Sequence, residues 1–124
     1  GKMIRDFTYI DDIVESIRRV IEKPPKKNDS LDRQKLKPDN SWAPYKIFNI
    51  GNSNPTPLME FIISLENKLG KKAIKNYLPI QPGDVPSTAS DTSSLENWIN
   101  FKPSTTIELG ISKFVDWYKN FYQC

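Results

Sequence analysis

The sequence predicts an α/β fold with short strands and three main helices. Three stretches carry large apolar residues at helical spacing, and short β-prone runs precede or separate them. A chain of 124 residues is long enough for one domain with a hydrophobic core, and too short for two. We therefore predict a single domain over residues 1–124 that includes an exposed loop at about 24–44.

The first strand and helix are predicted to follow each other directly. Residues 7–10 form a β-prone run, and residues 11–21 then place their apolar side chains on one helical face. That face consists of Ile13, Val14, Ile17, Val20 and Ile21. Acidic residues in its first turn and basic residues in its last suit the helix dipole, and Pro24 and Pro25 end the helix.

The middle of the chain predicts a loop, a strand and a second helix. Residues 24–44 are rich in Pro, Lys, Asp and Ser, which is typical of an exposed and disordered loop. Residues 45–51 predict a strand that ends at a glycine turn. Thr56 and Pro57 predict an N-cap and first helical residue, and Gly70 predicts the helix end. The apolar stripe of this helix consists of Leu58, Phe61, Ile62, Leu65 and Leu69.

A weak strand at 73–78 is predicted to lead into a shaped polar loop at 81–86. Two prolines restrict this loop around Gly83, and Asp84 offers a carboxylate within it. Asp91 has the chemistry of an N-cap for a short helix at 92–97. The last helix is predicted to start at Pro103 and Ser104 or Thr105. Its apolar side consists of Ile107, Ile111, Phe114, Val115, Tyr118 and Phe121 or Tyr122.

The charge of the chain is concentrated in the exposed loop. The net charge is +3, and residues 23–39 alone contain six basic and three acidic side chains. We interpret the loop as a solvated insertion and predict no nucleic-acid partner. No apolar run is long enough to span a bilayer, so no membrane contact is predicted, and reducing cytosol is the default compartment.

The composition excludes several kinds of catalytic site from this chain. It has no histidine and one cysteine, Cys124, so no metal site, histidine base or internal disulfide is predicted. Its five glycines form neither a dinucleotide fingerprint nor a phosphate loop, and no tyrosine precedes a lysine by four residues. The chain also begins in mid-pattern without methionine, which indicates a piece of a longer protein. We therefore predict a binding surface and no catalytic residue.

Three motifs resemble a known enzyme family. They are Arg-Asp-Phe-Thr-Tyr-Ile-Asp-Asp from Arg5, Ile-Phe-Asn-Ile-Gly from Ile47, and Gln-Pro-Gly-Asp-Val-Pro from Gln81. In this order they resemble the C-terminal third of extended short-chain dehydrogenase/reductases that epimerise nucleotide sugars. The residues of the first and third motifs are most similar to those of UDP-glucuronate 4-epimerases, including members from bacterial capsule biosynthesis.

The resemblance implies an activity for the whole enzyme and roles for three residues of this chain. An N-terminal Rossmann domain would hold NAD and a Tyr-x-x-x-Lys pair, and NAD would oxidise sugar C4 and then reduce its other face. In this chain Arg5 would bind the diphosphate and Asp84 would accept a hydrogen bond from a uridine ribose hydroxyl. Gln81 would lie at a substrate position where relatives acting on UDP-galactose or UDP-glucose have arginine. The chain alone would be inactive and would bind no NAD.

Other readings follow from the same sequence. A second enzyme reading keeps the family and changes the reaction, because another nucleotide-sugar epimerase, a dehydratase or a decarboxylase uses a similar C-terminal part. A small basic module that binds nucleic acid through residues 23–37 is the alternative from a different class. The resemblance also implies that the apolar faces of this part pack on a Rossmann sheet, so we expect the chain to self-associate as a homo-oligomer. We assign Asp6, Asp11 and Asp12 to strand and helix-start structure.

Overall fold

The structure is a computed structural model that describes residues 1–123, so Cys124 lies outside the described residues. It contains two short strands and four helices, and the predicted α/β class is confirmed. In chain order these are β1 (Ile4–Arg5), α1 (Ile10–Glu22), β2 (Thr56–Pro57), α2 (Leu58–Leu69), α3 (Ser93–Ile99) and α4 (Ile107–Tyr122).

Strand β1 connects three distant parts of the chain. It pairs antiparallel with β2, with Ile4 opposite Pro57 and Arg5 opposite Thr56. On its other edge the Ile4 amide donates to the Pro86 carbonyl at 2.9 Å, and the Thr88 amide donates to the Ile4 carbonyl at 3.2 Å. Because backbone bonds fix the strand on both edges, Arg5 lies beside the end of the 81–86 loop.

The helices pack in two pairs around a small core. Helix α2 packs on α4, and α1 packs on α3. Four buried hydrophobic residues come from α3 and α4, and they are Leu95, Ile99, Ile111 and Val115; Pro103, between these two helices, is also fully buried. Among residues 1–123, no helix is both long and apolar enough to cross a membrane.

The predicted strand positions are wrong. The first strand lies at Ile4–Arg5 instead of 7–10, where Phe7 stacks on Phe61 with ring centroids 4.5 Å apart. Residues 45–51 form no strand, and their only bridge joins Asn40 and Lys46. Residues 73–78 also form none. A β-prone segment becomes a strand only where a neighbouring segment pairs with its backbone over successive residues. No other part of residues 1–123 pairs in this way with these segments.

The helices agree with the predictions except at their ends. Thr56 and Pro57 belong to β2, so the predicted N-cap is wrong, whereas Gly70 ends α2 with φ of 70° as predicted. Helix α4 begins later than predicted, because the Thr106 hydroxyl accepts from the Leu109 amide at 3.3 Å.

Residues 24–44 contain no helix or strand and are largely exposed. Two backbone bonds bring the ends of this loop together: the Asn28 amide donates to the Trp42 carbonyl, and the Ile47 amide donates to the Asp39 carbonyl, both at 2.9 Å. The loop therefore folds back on itself as a series of turns.

Candidate functional site

A groove of about 500 Å³ lies between the start of the chain and the segment before α3. Its lining residues are Gly1, Lys2, Met3, Leu78, Pro79, Ile80, Gln81, Asp84 and Pro86. We call it the Gln81 groove. The structure thus brings two of the three predicted site residues, Gln81 and Asp84, to the wall of one open groove.

Arg5 reaches the groove through Asp84. Its Nη2 donates to Asp84 Oδ1 at 2.6 Å, and its Nη1 donates to the Ile4 carbonyl at 2.8 Å. Strand β1 holds the Arg5 backbone, and the Arg5 side chain as a whole is 23% exposed. Arg5 does not line the groove itself, but its charge lies directly behind the groove wall.

The Asp84 carboxylate is oriented by its own loop. The Asp84 amide donates to the Gln81 carbonyl at 3.1 Å, and Gly83 between them has φ of 87°, a conformation that favours glycine. Asp84 Oδ1 accepts from both Arg5 and the Val85 amide, the latter at 2.8 Å. No group of residues 1–123 donates to Asp84 Oδ2, so this second oxygen is available to a ligand.

Gln81 and Lys2 give the groove further polar character. Gln81 Nε2 donates to the Pro79 carbonyl at 3.0 Å, which turns the amide along the wall. Lys2 is the cation in the lining, and the sequence pattern did not predict it as a site residue. No periodicity or motif marks Lys2, because only the pairing of β1 beside the 81–86 loop brings the start of the chain to the groove.

Asp91 lies outside the groove and has a structural role. Its Oδ1 accepts from the Ser93 hydroxyl at 2.6 Å and from the Ser93 amide at 3.0 Å, and these bonds lower the Asp91 pKa. This is the predicted cap of the short helix, made one residue before the N-cap position Thr92. The N-terminus of α3 is therefore already occupied by its own side chains.

The groove combines charged and neutral hydrogen-bonding groups. A guanidinium, an ammonium, a primary amide and a carboxylate suit a ligand with both anionic and hydroxyl groups. Within residues 1–123 no three acidic or sulfur side chains are grouped to hold a metal ion. The arrangement can therefore orient a polar ligand.

Known proteins match this chain over nearly its whole length. No protein-family model matches. The chain is 53% identical over 123 residues to Protein CapI of Staphylococcus aureus, covering 99% of this chain and 37% of that protein. It is 38% identical over 121 residues to UDP-glucuronate 4-epimerase 1 of Arabidopsis thaliana, covering 97% of this chain and 27% of that protein. The chain thus spans 37% and 27% of the length of these two relatives.

Solved structures share the fold. UDP-glucuronic acid 4-epimerase from Bacillus cereus, in complex with UDP-glucuronic acid and NAD, matches with a TM-score of 0.74 and 26% identity. That match covers 98% of this chain and 34% of the other. UDP-glucose 4-epimerase from Bifidobacterium longum has a TM-score of 0.73 at 20% identity, which supports the fold alone, over 97% of this chain and 31% of the other. Over nearly its whole length the chain therefore resembles a C-terminal part of the extended short-chain dehydrogenase/reductases, and UDP-glucuronate 4-epimerases are among its homologues.

Proposed function

We propose that this chain binds the UDP part of a nucleotide sugar, most specifically UDP-glucuronate, as the substrate-binding part of an NAD-dependent 4-epimerase. The observation that carries the proposal is the ion pair between Arg5 and Asp84 at the wall of the Gln81 groove. Two of the three residues that the family resemblance assigns to substrate line this groove, and the third is bonded to it.

Arg5 has the capacity to bind a diphosphate while it keeps its present partners. A guanidinium carries five N–H donors, and the contacts with Ile4, Met3 and Asp84 use three of them. The two remaining donors can each bind a phosphate oxygen, and the weak contact with the Met3 sulfur at 3.8 Å is the partner most easily exchanged for a phosphate. The ion pair with Asp84 therefore orients the guanidinium in advance and reduces the ordering cost of binding.

Asp84 and Gln81 suit the sugar side of such a ligand. The Oδ2 oxygen of Asp84 can accept from a ribose hydroxyl, while Oδ1 stays with Arg5 and Val85. Gln81 is neutral, so the positive charge beside the diphosphate comes from Arg5, with Lys2 in the groove lining as a second source. A UDP-sugar would thus meet charge at its phosphates and hydrogen-bonding groups at its ribose.

The residues of this chain do not fit NAD. Dinucleotide binding in these folds requires a glycine-rich turn between a strand and a helix. The positive-φ glycines among residues 1–123 are Gly70 at the end of α2 and Gly83 in the groove loop, and neither lies in such a turn. We therefore derive no hydride-transfer step from this chain. Its proposed contribution is to hold and orient the sugar nucleotide, and by itself it is inactive.

Titration of the chain with UDP in a calorimeter tests the proposal. We expect saturable binding of UDP and expect Arg5→Ala to weaken it about 10- to 100-fold, because a charge-assisted hydrogen bond to phosphate is lost. Arg5→Lys should recover part of the affinity, since lysine keeps the charge and loses the fork. Lys35→Ala, in the exposed loop, is the control and should leave the affinity unchanged.

Further ligands separate this proposal from its alternatives. Uridine should bind far more weakly than UDP if Arg5 binds the diphosphate, and dTDP should compete well only if the chain comes from a dehydratase-type relative. Binding of single-stranded nucleic acid that weakens with salt and is lost in Lys35→Ala would favour the basic-module alternative. Lys27 pairs with Asp29 at 2.8 Å and Lys35 with Asp32 at 3.7 Å, which reduces the charge this loop presents. Absence of UDP binding by the unmodified chain would overturn the proposal for this chain.

A further inference from the structure

Glu66, near the end of α2, accepts hydrogen bonds from five of the six residues at 70–75. Its backbone carbonyl accepts from the Gly70 amide at 2.9 Å and the Lys71 amide at 3.2 Å. Its carboxylate binds the Lys72 ammonium at 3.0 Å, the Ala73 amide at 3.0 Å and the Lys75 ammonium. We call Glu66, Lys72, Ala73 and Lys75 the Glu66 cluster. One residue thus holds the whole segment that leaves the helix.

The position of this carboxylate is unfavourable for the helix itself. A negative charge in the last turn opposes the helix dipole, and Glu66 is 5% exposed, so its charge also loses hydration. The two lysines and the Ala73 amide offset both costs. Helix stability does not explain a buried glutamate here, whereas its bonds to the following segment do.

Residues 72–80 have little else to hold them. In the described part of the chain, no backbone–backbone hydrogen bond joins these residues to one another or to any other segment. Their large apolar side chains are not packed either: Ile74 is fully exposed, and Leu78 and Ile80 are mostly exposed. A segment without backbone ladder or buried side chains is expected to open easily, so the polar bonds of the Glu66 cluster set its position.

The same segment continues directly into the Gln81 groove. Beyond Lys75, the Tyr77 hydroxyl contacts the Met59 sulfur on α2 at 3.9 Å, and Leu78 to Gln81 then line the groove. Before Gln81, this wall is therefore connected to the rest of the domain mainly through Glu66 and this tyrosine contact, whereas after Gln81 the Arg5–Asp84 ion pair and the Ile4–Pro86 backbone bond hold it. The opposite wall, formed by residues 1–3, is fixed by strand β1.

We propose that Glu66 is a positioning residue for the sugar-nucleotide groove: it holds residues 72–75 against α2 and so fixes the wall that presents Gln81. This inference rests on the proposed function, because the ligand of the groove is taken to be UDP. Glu66 contacts no ligand itself. Its removal should allow the wall to move, and UDP would then have to order the wall on binding.

Limited proteolysis tests the positioning without any ligand. Trypsin cleaves after Lys71, Lys72 and Lys75, which all lie in or next to the Glu66 cluster. In Glu66→Gln we expect cleavage at these lysines to speed up relative to cleavage in the loop at Lys26 and Lys35. Val115→Ala removes buried methyl groups far from the segment and serves as a stability-matched control that should raise cleavage at all sites together.

Calorimetry with UDP tests the consequence for binding. Glu66→Gln should weaken UDP binding about three- to tenfold, which corresponds to the usual cost of ordering a few side chains. Lys75→Met should weaken it similarly, and the double variant should be no worse than either single one, because both changes release the same contact. Asp116→Asn, which removes an α2–α4 ion pair that does not touch the segment, should leave the affinity unchanged.

The outcomes separate the inference from the proposed function. If the unmodified chain binds UDP and Glu66→Gln binds it within twofold, the inference is wrong and the proposed function stands. Additive effects of Glu66→Gln and Lys75→Met would also overturn it. If the unmodified chain does not bind UDP, the proposed function and the inference about Glu66 are both wrong. The proteolysis then shows only whether Glu66 holds residues 72–75.

Discussion

The aspartates of this chain have different roles at different positions. Asp6 accepts from the Ser53 and Asn54 amides at 3.1 and 3.3 Å, so its carboxylate fixes the turn after residue 51. Asp84 instead pairs with a guanidinium at the Gln81 groove. The structural role expected for Asp6 is confirmed.

Asp12 also has a structural role that the sequence placed correctly but explained only in part. Its position in the first turn of α1 suits the helix dipole. In the structure its Oδ2 additionally accepts from the Ser104 and Thr105 amides at 3.2 and 2.9 Å, and so joins α1 to the chain before α4. A partner about ninety residues away along the chain is invisible in the sequence pattern.

The stability of the protein should fall in acid because of carboxylates with lowered pKa values. Hydrogen bonds from Lys75, Ala73 and Lys72 lower the pKa of Glu66 from 4.5 to about 2, and those from Arg18 and Arg19 lower that of Glu15 to about 2. A lowered folded-state pKa contributes stability that is fully present above pH 4.5 and is lost as the pH falls towards about 2. Thermal melts between about pH 5.5 and 2.5 should show this decline.

Glu66→Gln provides the control for that experiment. Glu66 is more buried than Glu15, whose ion pairs are exposed and screened by salt, so Glu66 should account for more of the acid sensitivity. The variant should melt lower than the unmodified chain near neutral pH and show a flatter decline in acid. A melting temperature that does not change with pH in this window would contradict the assignment of these carboxylates.

At the scale of elements, helix signals proved more reliable than strand signals. A helix makes its hydrogen bonds within itself, so the apolar stripes of α1, α2 and α4 were enough to predict them. A strand needs a neighbour, and residues 45–51 and 73–78 have none within the described chain. The observed strand β1 is only two residues long and owes its place to β2 and to residues 86–88.

The short helix α3 should depend on one buried side chain. Leu95 is completely buried, and seven residues are too few to form a stable helix without packing. We expect Leu95→Ala to reduce the free energy of unfolding by about 2–5 kcal/mol, measured by urea denaturation. The matched control is Leu109→Ala on α4, which is 50% exposed and should cost much less. Equal losses in the two variants would contradict the proposed core.

At the scale of the whole molecule, two apolar faces have no partner among the described residues. On α1, Ile10, Val14, Ile17 and Ile21 are about half exposed or more, and the C-terminal half of α4 exposes a run of aromatic rings that contact one another. The core proper is small by comparison. Apolar faces of this extent are typical of surfaces that contact another domain or chain.

Self-association of the isolated chain therefore stays a prediction. We expect the apparent mass in sedimentation experiments to rise with concentration. Phe121→Lys should reduce this rise, because it places a charge in the middle of the aromatic face of α4, while Lys119→Ala on the same helix should not. A single monomeric species at all concentrations would show that these faces do not bind one another.

The sequence by itself determined the fold class, the three long helices and the family resemblance, because helical periodicity and short contiguous motifs are local in the chain. It also named Arg5, Gln81 and Asp84. Only the tertiary structure decided that Gln81, Asp84 and Lys2 line one groove, that Arg5 is bonded to Asp84, and that Glu66 binds Lys75 in the segment before the groove. Such groups meet through backbone pairing and side-chain bonds between distant segments, and no local pattern records which segments will become neighbours.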